Sequence, residues 1–213
     1  MGNGRRIRKF LSLSAKVMIG LLLIVDVYPI IWMFLNSFRT NNEIYANPIG
    51  LPKSFDFSVF AEAWVKADFG RALFNSFYIA FFQVVIIVAA ASLSAYALTI
   101  LNVRGKNIIY NVIVSLQVVS GQIILIPLFA LMRDMGLLDH LWANILSGAA
   151  LSFPLATMIF KGGFQSIPRE LYESAVVDGC SDMRFFLKMV FPLAKPTFSS
   201  VVIYHALFSW NEY

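Results

Sequence analysis

The chain has 213 residues, 59% of them hydrophobic and 14% charged, with 20 Phe, a net charge of +5 and a mean hydropathy of +0.72. That balance excludes an ordinary soluble domain and describes a polytopic membrane protein, an all-α helical bundle whose positive charge reflects topology rather than a nucleic-acid surface. The single Cys180 allows no intrachain disulfide, and His140 and His205 are isolated, so no Cys or His cluster has metal-ligand spacing.

Arg5, Arg6, Arg8, Lys9 and Lys16 precede the first apolar run, Val17–Leu35. The run carries Asp26, Tyr28 and Pro29 and lacks a small-x-small cleavage site, so it is expected to be a span rather than a signal peptide. Arg6 stands where a myristoylation signal has Ser or Thr, which removes Gly2 as a lipid site. An ionised Asp at mid-span costs roughly 2.5–3.5 kcal/mol, so Asp26 should face a partner, water or the bundle interior, capping or bridging neighbouring helices.

Between Ser37 and Arg71, Pro48, Gly50 and Pro52 interrupt regular structure. Phe60, Ala63, Trp64 and Ala67 then recur at helical spacing, which predicts a short interfacial helix with Trp64 and Phe69 at headgroup depth. It serves as a surface anchor or as a contact for an extracytoplasmic partner. Charge-free stretches follow at Ala72–Val103, Asn107–Met132, Leu141–Phe160 and Pro196–Asn211, making five expected spans. The fifth is short, so the expectation is one transmembrane domain over residues 1–213 that is C-terminally incomplete.

Five Lys or Arg precede the first span, two lie in Arg104–Lys106, five in the Lys161–Lys195 loop and one in Arg133–His140. The positive-inside rule therefore puts the N-terminus, the second loop and the fourth loop in the cytoplasm. Within the spans, Asn111, Ser115 and Gln122 fall at i, i+4 and i+11, and His205, Ser209 and Glu212 at i, i+4 and i+7. Both stripes are candidates for a substrate pathway, and interhelical hydrogen bonding is the competing use of the small polar residues. Asn144, Gly148 and Ser152 read as close helix packing.

The most charged stretch, Pro168 to Pro196, lies between two charge-free spans and carries Arg169, Glu170, Glu173, Asp178, Asp182, Arg184, Lys188 and Lys195. Pro168 suits a first helical position, and Glu170 complements the helix dipole. Leu171, Tyr172, Ala175 and Val176 share one arc of the wheel; Glu170, Glu173, Ser174 and Asp178 share the other, with Val177 out of place among them. Gly179 can end that helix in the left-handed conformation, and Ser181 can cap a second one running through Phe185, Phe186 and Met189 until Pro192 and Pro196 stop it.

The run Glu173-Ser174-Ala175, three residues, Gly179, nine residues, then Met189-Val190-Phe191-Pro192 resembles the EAA loop of ATP-binding-cassette importer permeases, with Ser174, Met189 and Phe191 as departures. The segments YPIIWMFLNSF, Asn75-Ser76 and FSWNEY are similar to the carbohydrate-uptake branch, to the smaller maltose-type permease subunit. The resemblance implies a type I importer permease in the cell inner membrane that moves sugar by alternating access. It implies a coupling loop at residues 161–196 in which Glu173, Ala175, Asp178, Gly179 and Pro192 serve ATPase coupling. It further implies a second permease subunit, two ATPase subunits and an extracytoplasmic substrate-binding protein. ATP would be bound by the partners, leaving this chain without a cofactor and without enzyme activity. A proton- or ion-coupled secondary transporter is the alternative, with Asp26 its only support. No Ser/His/Asp order, HExxH or Walker loop points to an intramembrane enzyme.

Overall fold

The computed structural model describes the backbone of residues 2–212 and the side chains of residues 16–212. The basic cluster Arg5, Arg6, Arg8 and Lys9 thus has its side chains outside the described set. Every described regular element is helical, and the chain divides into two compact units, residues 1–70 and 71–213.

In the first unit, α1 (Gly2–Asn36) contains the expected first span, with an apolar stretch at Lys16–Asn36 and Pro29 inside the helix. Asp26 lies exposed on it, and among the described residues it makes none of the hydrogen bonds or ion pairs expected of a bridging acid. The following loop is a small folded body. A capping box between Thr40 and Glu43 starts α2 (Asn41–Ala46), and α3 (Ser58–Lys66) is the expected surface helix, its Trp64 ring 5.1 Å from that of Phe69. Phe38 is the hub, with Phe34, Phe55, Phe57 and Phe60 edge-on around it at 5.1–5.4 Å. Arg39 is buried beside it and donates to the carbonyls of Glu43 (2.6 Å), Asn47 and Pro48 and to Asn36 Oδ1 (2.9 Å). A residue counted from sequence as a loop charge thus pins the loop's own backbone.

The second unit starts two residues into α4 (Phe69–Thr99), followed by α5 (Lys106–Ser115), a 3-10 turn at Leu116–Val118, α6 (Gly121–Asp134) and α7 (Leu141–Phe164). The elbow helix α8 (Arg169–Val177) comes next. After it, α9 (Asp182–Phe185) widens into a π turn at Phe186–Val190, re-forms as α10 (Phe191–Leu193) and bends into α11 (Lys195–Glu212). Among the described residues, three helices are long and apolar enough to cross a membrane, or up to five spans if each bent pair counts as one.

Two expectations need correction. The third span is not a continuous helix: α5 and α6 meet at 102°. β-branched Val118 and Val119 disfavour helix, Val119 is extended, and Ser120 and Gly121 open a new one. Likewise the second elbow helix does not stop at Pro192. Pro192 has no N–H to give and its ring would crowd the carbonyl of residue 188, so the turn before it widens, and the 80° bend falls at Ala194.

The core joins α4, α7 and α9–α11 through Ala91, Ala95 and Ala156, fully buried small residues that let the helices approach. A cluster of Phe160, Phe164, Phe191 and Phe198 fills the space beside them, with centroid separations from 4.7 to 6.1 Å. At Gly163, an added Cβ would come within 2.6 Å of Thr197 Cγ2, so α7 and the start of α11 meet there. Lys161 lies 3.2 Å over the Tyr110 ring, tying α5 to α7.

Candidate functional site

Two polar regions stand out in the second unit, one at the elbow and one at mid-span. At the elbow, the α8 backbone ends in a Schellman turn: the Cys180 N–H donates to the Ala175 carbonyl (2.9 Å) and the Gly179 N–H to that of Val176 (3.0 Å). Gly179 has φ +74°, the left-handed conformation expected of it. Pro168 is the N-cap rather than the first helical residue, and Ser181 precedes α9 as its N-cap without a side-chain capping bond.

The faces of α8 divide differently from the wheel. Tyr172 and Ala175, with Ile167 and Cys180, pack against the core, while Leu171 and Val176 remain exposed and Val177 is 88% exposed. Of the five residues expected to serve coupling, Glu173 is exposed and paired with Arg169 (3.4 Å), and Asp178 and Pro192 are exposed. Gly179 sets the turn, and Ala175 is a packing residue facing its own bundle.

Two tyrosines absent from the sequence-based candidates complete the elbow. The Tyr172 hydroxyl donates to Asp182 Oδ1 (2.8 Å), and the Tyr96 hydroxyl, from α4, donates to the Asp182 backbone carbonyl (3.0 Å). The hydrogen bond to Asp182 is the chief reason the Tyr172 phenol is raised above its ordinary value of 10.0, with burial and the Asp182 charge adding to it.

At mid-span, His205 and Ser209 are buried together while Glu212 is exposed, and the Asn111 stripe is not assembled. The 102° bend separates Asn111 and Ser115 on α5 from Gln122 on α6. Ser115 donates to the Val112 carbonyl (2.7 Å), Gln122 pairs with Ser120 (2.8 Å), and all three stripe residues are exposed. His205 and Ser209, by contrast, are both 2% exposed on α11. Ser209 donates to Oε1 of Gln83 on α4, a buried amide that sequence reasoning passed over because one Gln in an apolar span has no repeating partner. Gly148 on α7 makes room for that amide: an added Cβ would come within 2.8 Å of Gln83 Cδ, which bears out close packing there. Among the described residues, neither ring nitrogen of His205, nor Gln83 Nε2, has a hydrogen-bond partner.

His205 and Glu212 open onto a cavity of about 330 Å³, with Gln117, Ser152 and Tyr204 among its other lining residues. A cavity of that size lined by an imidazole, an amide and a carboxylate side chain offers polar groups suited to hydroxyl or carbonyl groups. Among the described residues no group of His, Cys, Asp and Glu is placed to hold a metal ion.

Comparison with known proteins fits this architecture. Residues 87–213 match the family model described as binding-protein-dependent transport system inner membrane component. The diacetylchitobiose uptake system permease protein NgcG of Streptomyces coelicolor is 28% identical over 206 residues, 97% of this chain and 68% of that protein. The sulfoquinovosyl glycerol transport system permease protein SmoH of Agrobacterium fabrum is 31% identical over 91% of this chain and 68% of its own length. Among solved structures, a bacterial ABC transporter involved in the import of the acidic polysaccharide alginate aligns with a TM-score of 0.84 and 26% identity, covering 97% of this chain and 72% of that one. These matches decide between the two transport classes left open by the sequence: the chain belongs to the binding-protein-dependent transport system inner membrane components, the permease subunits of ABC importers.

Proposed function

We propose that this chain is the permease subunit of a sugar importer, that its α8 elbow docks on a separate ATPase subunit, and that solute passes the His205 cavity. The observation that carries the docking role is the elbow itself. A Schellman turn at Gly179 ends a short helix whose tip presents exposed Val176, Val177 and Asp178, with Glu173 one turn earlier. An apolar side chain exposed at a rigid tip gains by burial in a partner's groove. Glu173, Asp178 and Pro192 lie on the exposed side of this segment, while Ala175 and Gly179 fix its shape.

The proposed assembly contains a second permease, two ATPase subunits that bind the ATP, and an extracytoplasmic binding protein, in the cell inner membrane. This chain contributes no cofactor. The charge count of the loops supports a cytoplasmic N-terminus and a cytoplasmic elbow. Sugar as solute is supported by relatives named for diacetylchitobiose and for melibiose, raffinose and stachyose, and by a cavity lined with imidazole, amide and carboxylate groups. In the pathway proposed here His205 and Glu212 face the solute, Ser209 orients Gln83, and the Asn111, Ser115 and Gln122 set lies outside the cavity lining.

The test is uptake of a panel of radiolabelled di- and trisaccharides by cells carrying the chain with its partner genes. His205→Leu should lower uptake at least tenfold with the complex still assembled. Unchanged uptake of every transported sugar by that variant would remove the cavity from the pathway. Orientation is read at Cys180, which should react with a membrane-impermeant thiol reagent only after lysis.

A further inference from the structure

Asp182 joins three elements, α4, α8 and α9, through polar bonds. Its carboxylate takes the Tyr172 hydroxyl from α8, its backbone carbonyl takes the Tyr96 hydroxyl from α4, and it is itself the first residue of α9. Rings reinforce both links: Tyr172 stands edge-on to Phe185 at 5.3 Å, and Tyr96 packs on Phe186 at 5.1 Å. A second tie runs from Arg169 at the start of α8 to Asn102, just past the end of α4. The elbow helix is therefore held to the end of α4 directly at Arg169, and to α9 at Tyr172, with Asp182 passing that second link on to α4 through Tyr96.

The same α4 is bonded again at mid-span, where Ser209 of α11 donates to Gln83. Tyr96 and Gln83 lie on one unbroken helix, about 20 Å apart at 1.5 Å per residue. We propose that Asp182, with Tyr172 and Tyr96 as positioning residues, is the joint that passes displacement of the elbow helix along α4 to the buried Gln83–Ser209 contact beside His205. The proposal rests on the docking role assigned to α8 above. A helix that merely packed on the bundle could slide over it when pushed, whereas one bonded through the Tyr172 hydroxyl to α9, which is itself bonded to α4 through Tyr96, moves both with it.

The experiment uses the complex with its partner permease, ATPase and binding protein in proteoliposomes. It reads the ratio of ATP hydrolysis with the binding protein to hydrolysis without it, a measure of transmission that needs no knowledge of the solute. Tyr172→Phe and Tyr96→Phe keep the ring packing and remove one hydroxyl each; each should lower the ratio about five- to tenfold at unchanged complex yield. Asp182→Ala should match Tyr172→Phe, the double variant should be no worse than either, and Asp182→Asn, which still offers an acceptor oxygen, should restore most of the ratio. In the detergent-solubilised chain, amide exchange of α8 should speed up in both Tyr variants, a readout that survives any loss of assembly. Full stimulation in both, or unchanged exchange, overturns the joint. Glu173→Lys tests the docking role separately through co-purification of the ATPase. If the ATPase still co-purifies, the docking reading fails whatever the tyrosines do.

Discussion

The elbow and the mid-span cluster are both polar regions built on α4 and the α9–α11 segment, yet they are finished differently. At the elbow, hydroxyl groups find acceptors: Tyr96 and Tyr172 converge on Asp182, and the Schellman turn satisfies the last carbonyls of α8. At mid-span, Gln83 Nε2 and both nitrogens of His205 have no partner among the described residues although Gln83 and His205 are 1–2% exposed. A satisfied network fixes geometry, whereas buried donors left unpaired cost stability and persist where binding uses them. The contrast suits a device with one end that transmits force and another that meets solute.

The sharpest way to break this contrast is to fill the mid-span cluster. Gly148→Leu drives a side chain into the Gln83 amide and should cost about 3 kcal/mol or more, abolishing uptake and lowering the melting temperature. Gly148→Ala should be milder and should be relieved by Gln83→Ala, a packing rescue visible in thermal melts. Next in size is Gly179→Val, which places a β-branched residue at φ +74° at a local cost of about 1–3 kcal/mol. ATP hydrolysis should persist while uptake falls, with membrane insertion intact. Normal uptake by this variant would argue that the shape of the turn is immaterial.

His205→Leu separates the two ends most informatively. Removing a buried imidazole without partners should leave the fold unchanged or stabilise it by about 1 kcal/mol, while uptake falls. A melting temperature lower by several degrees would mean the ring is held by bonds the account does not include. The smallest effect concerns pH. Tyr172 is raised above 10.0 mainly by its bond to Asp182, so whatever stability that link supplies is fully present below pH 10 and lost only as pH climbs through the raised value. Binding-protein stimulation should thus lose nothing at the Tyr172 phenol between pH 6 and pH 9, and a loss abolished by Tyr172→Phe within that window would contradict the assignment.

What could be read from the sequence follows the range of the forces involved. Gly179, Pro168 and the Ser181–Asp182 start act within a few residues, so the backbone turns of the elbow were legible to one position at Pro168, while the packed face of α8 and the run past Pro192, set by tertiary contacts, were not. The spans were legible from hydropathy, except where β-branched Val118 and Val119 and the Ser120-Gly121 start divide the third into two helices, a local signal outweighed by an unbroken apolar run. Gln83, Tyr96 and Arg39 were not legible. The first two act on partners 126 and 86 residues away, and Arg39 is buried by folding of its own loop. His205 and Ser209 were found because they share a helix face, but their neighbour Gly148 could be assigned only to packing in general.

The central claim, that the tip of α8 inserts into an ATPase subunit, is tested most directly at Val177, 88% exposed at the end of the elbow helix. Val177→Cys on a Cys180→Ser background, carrying a photoreactive maleimide in the assembled complex, should cross-link to the ATPase, with the yield changing between nucleotide-free and ATP-bound states. Cross-links confined to lipid or to the other permease would contradict the account.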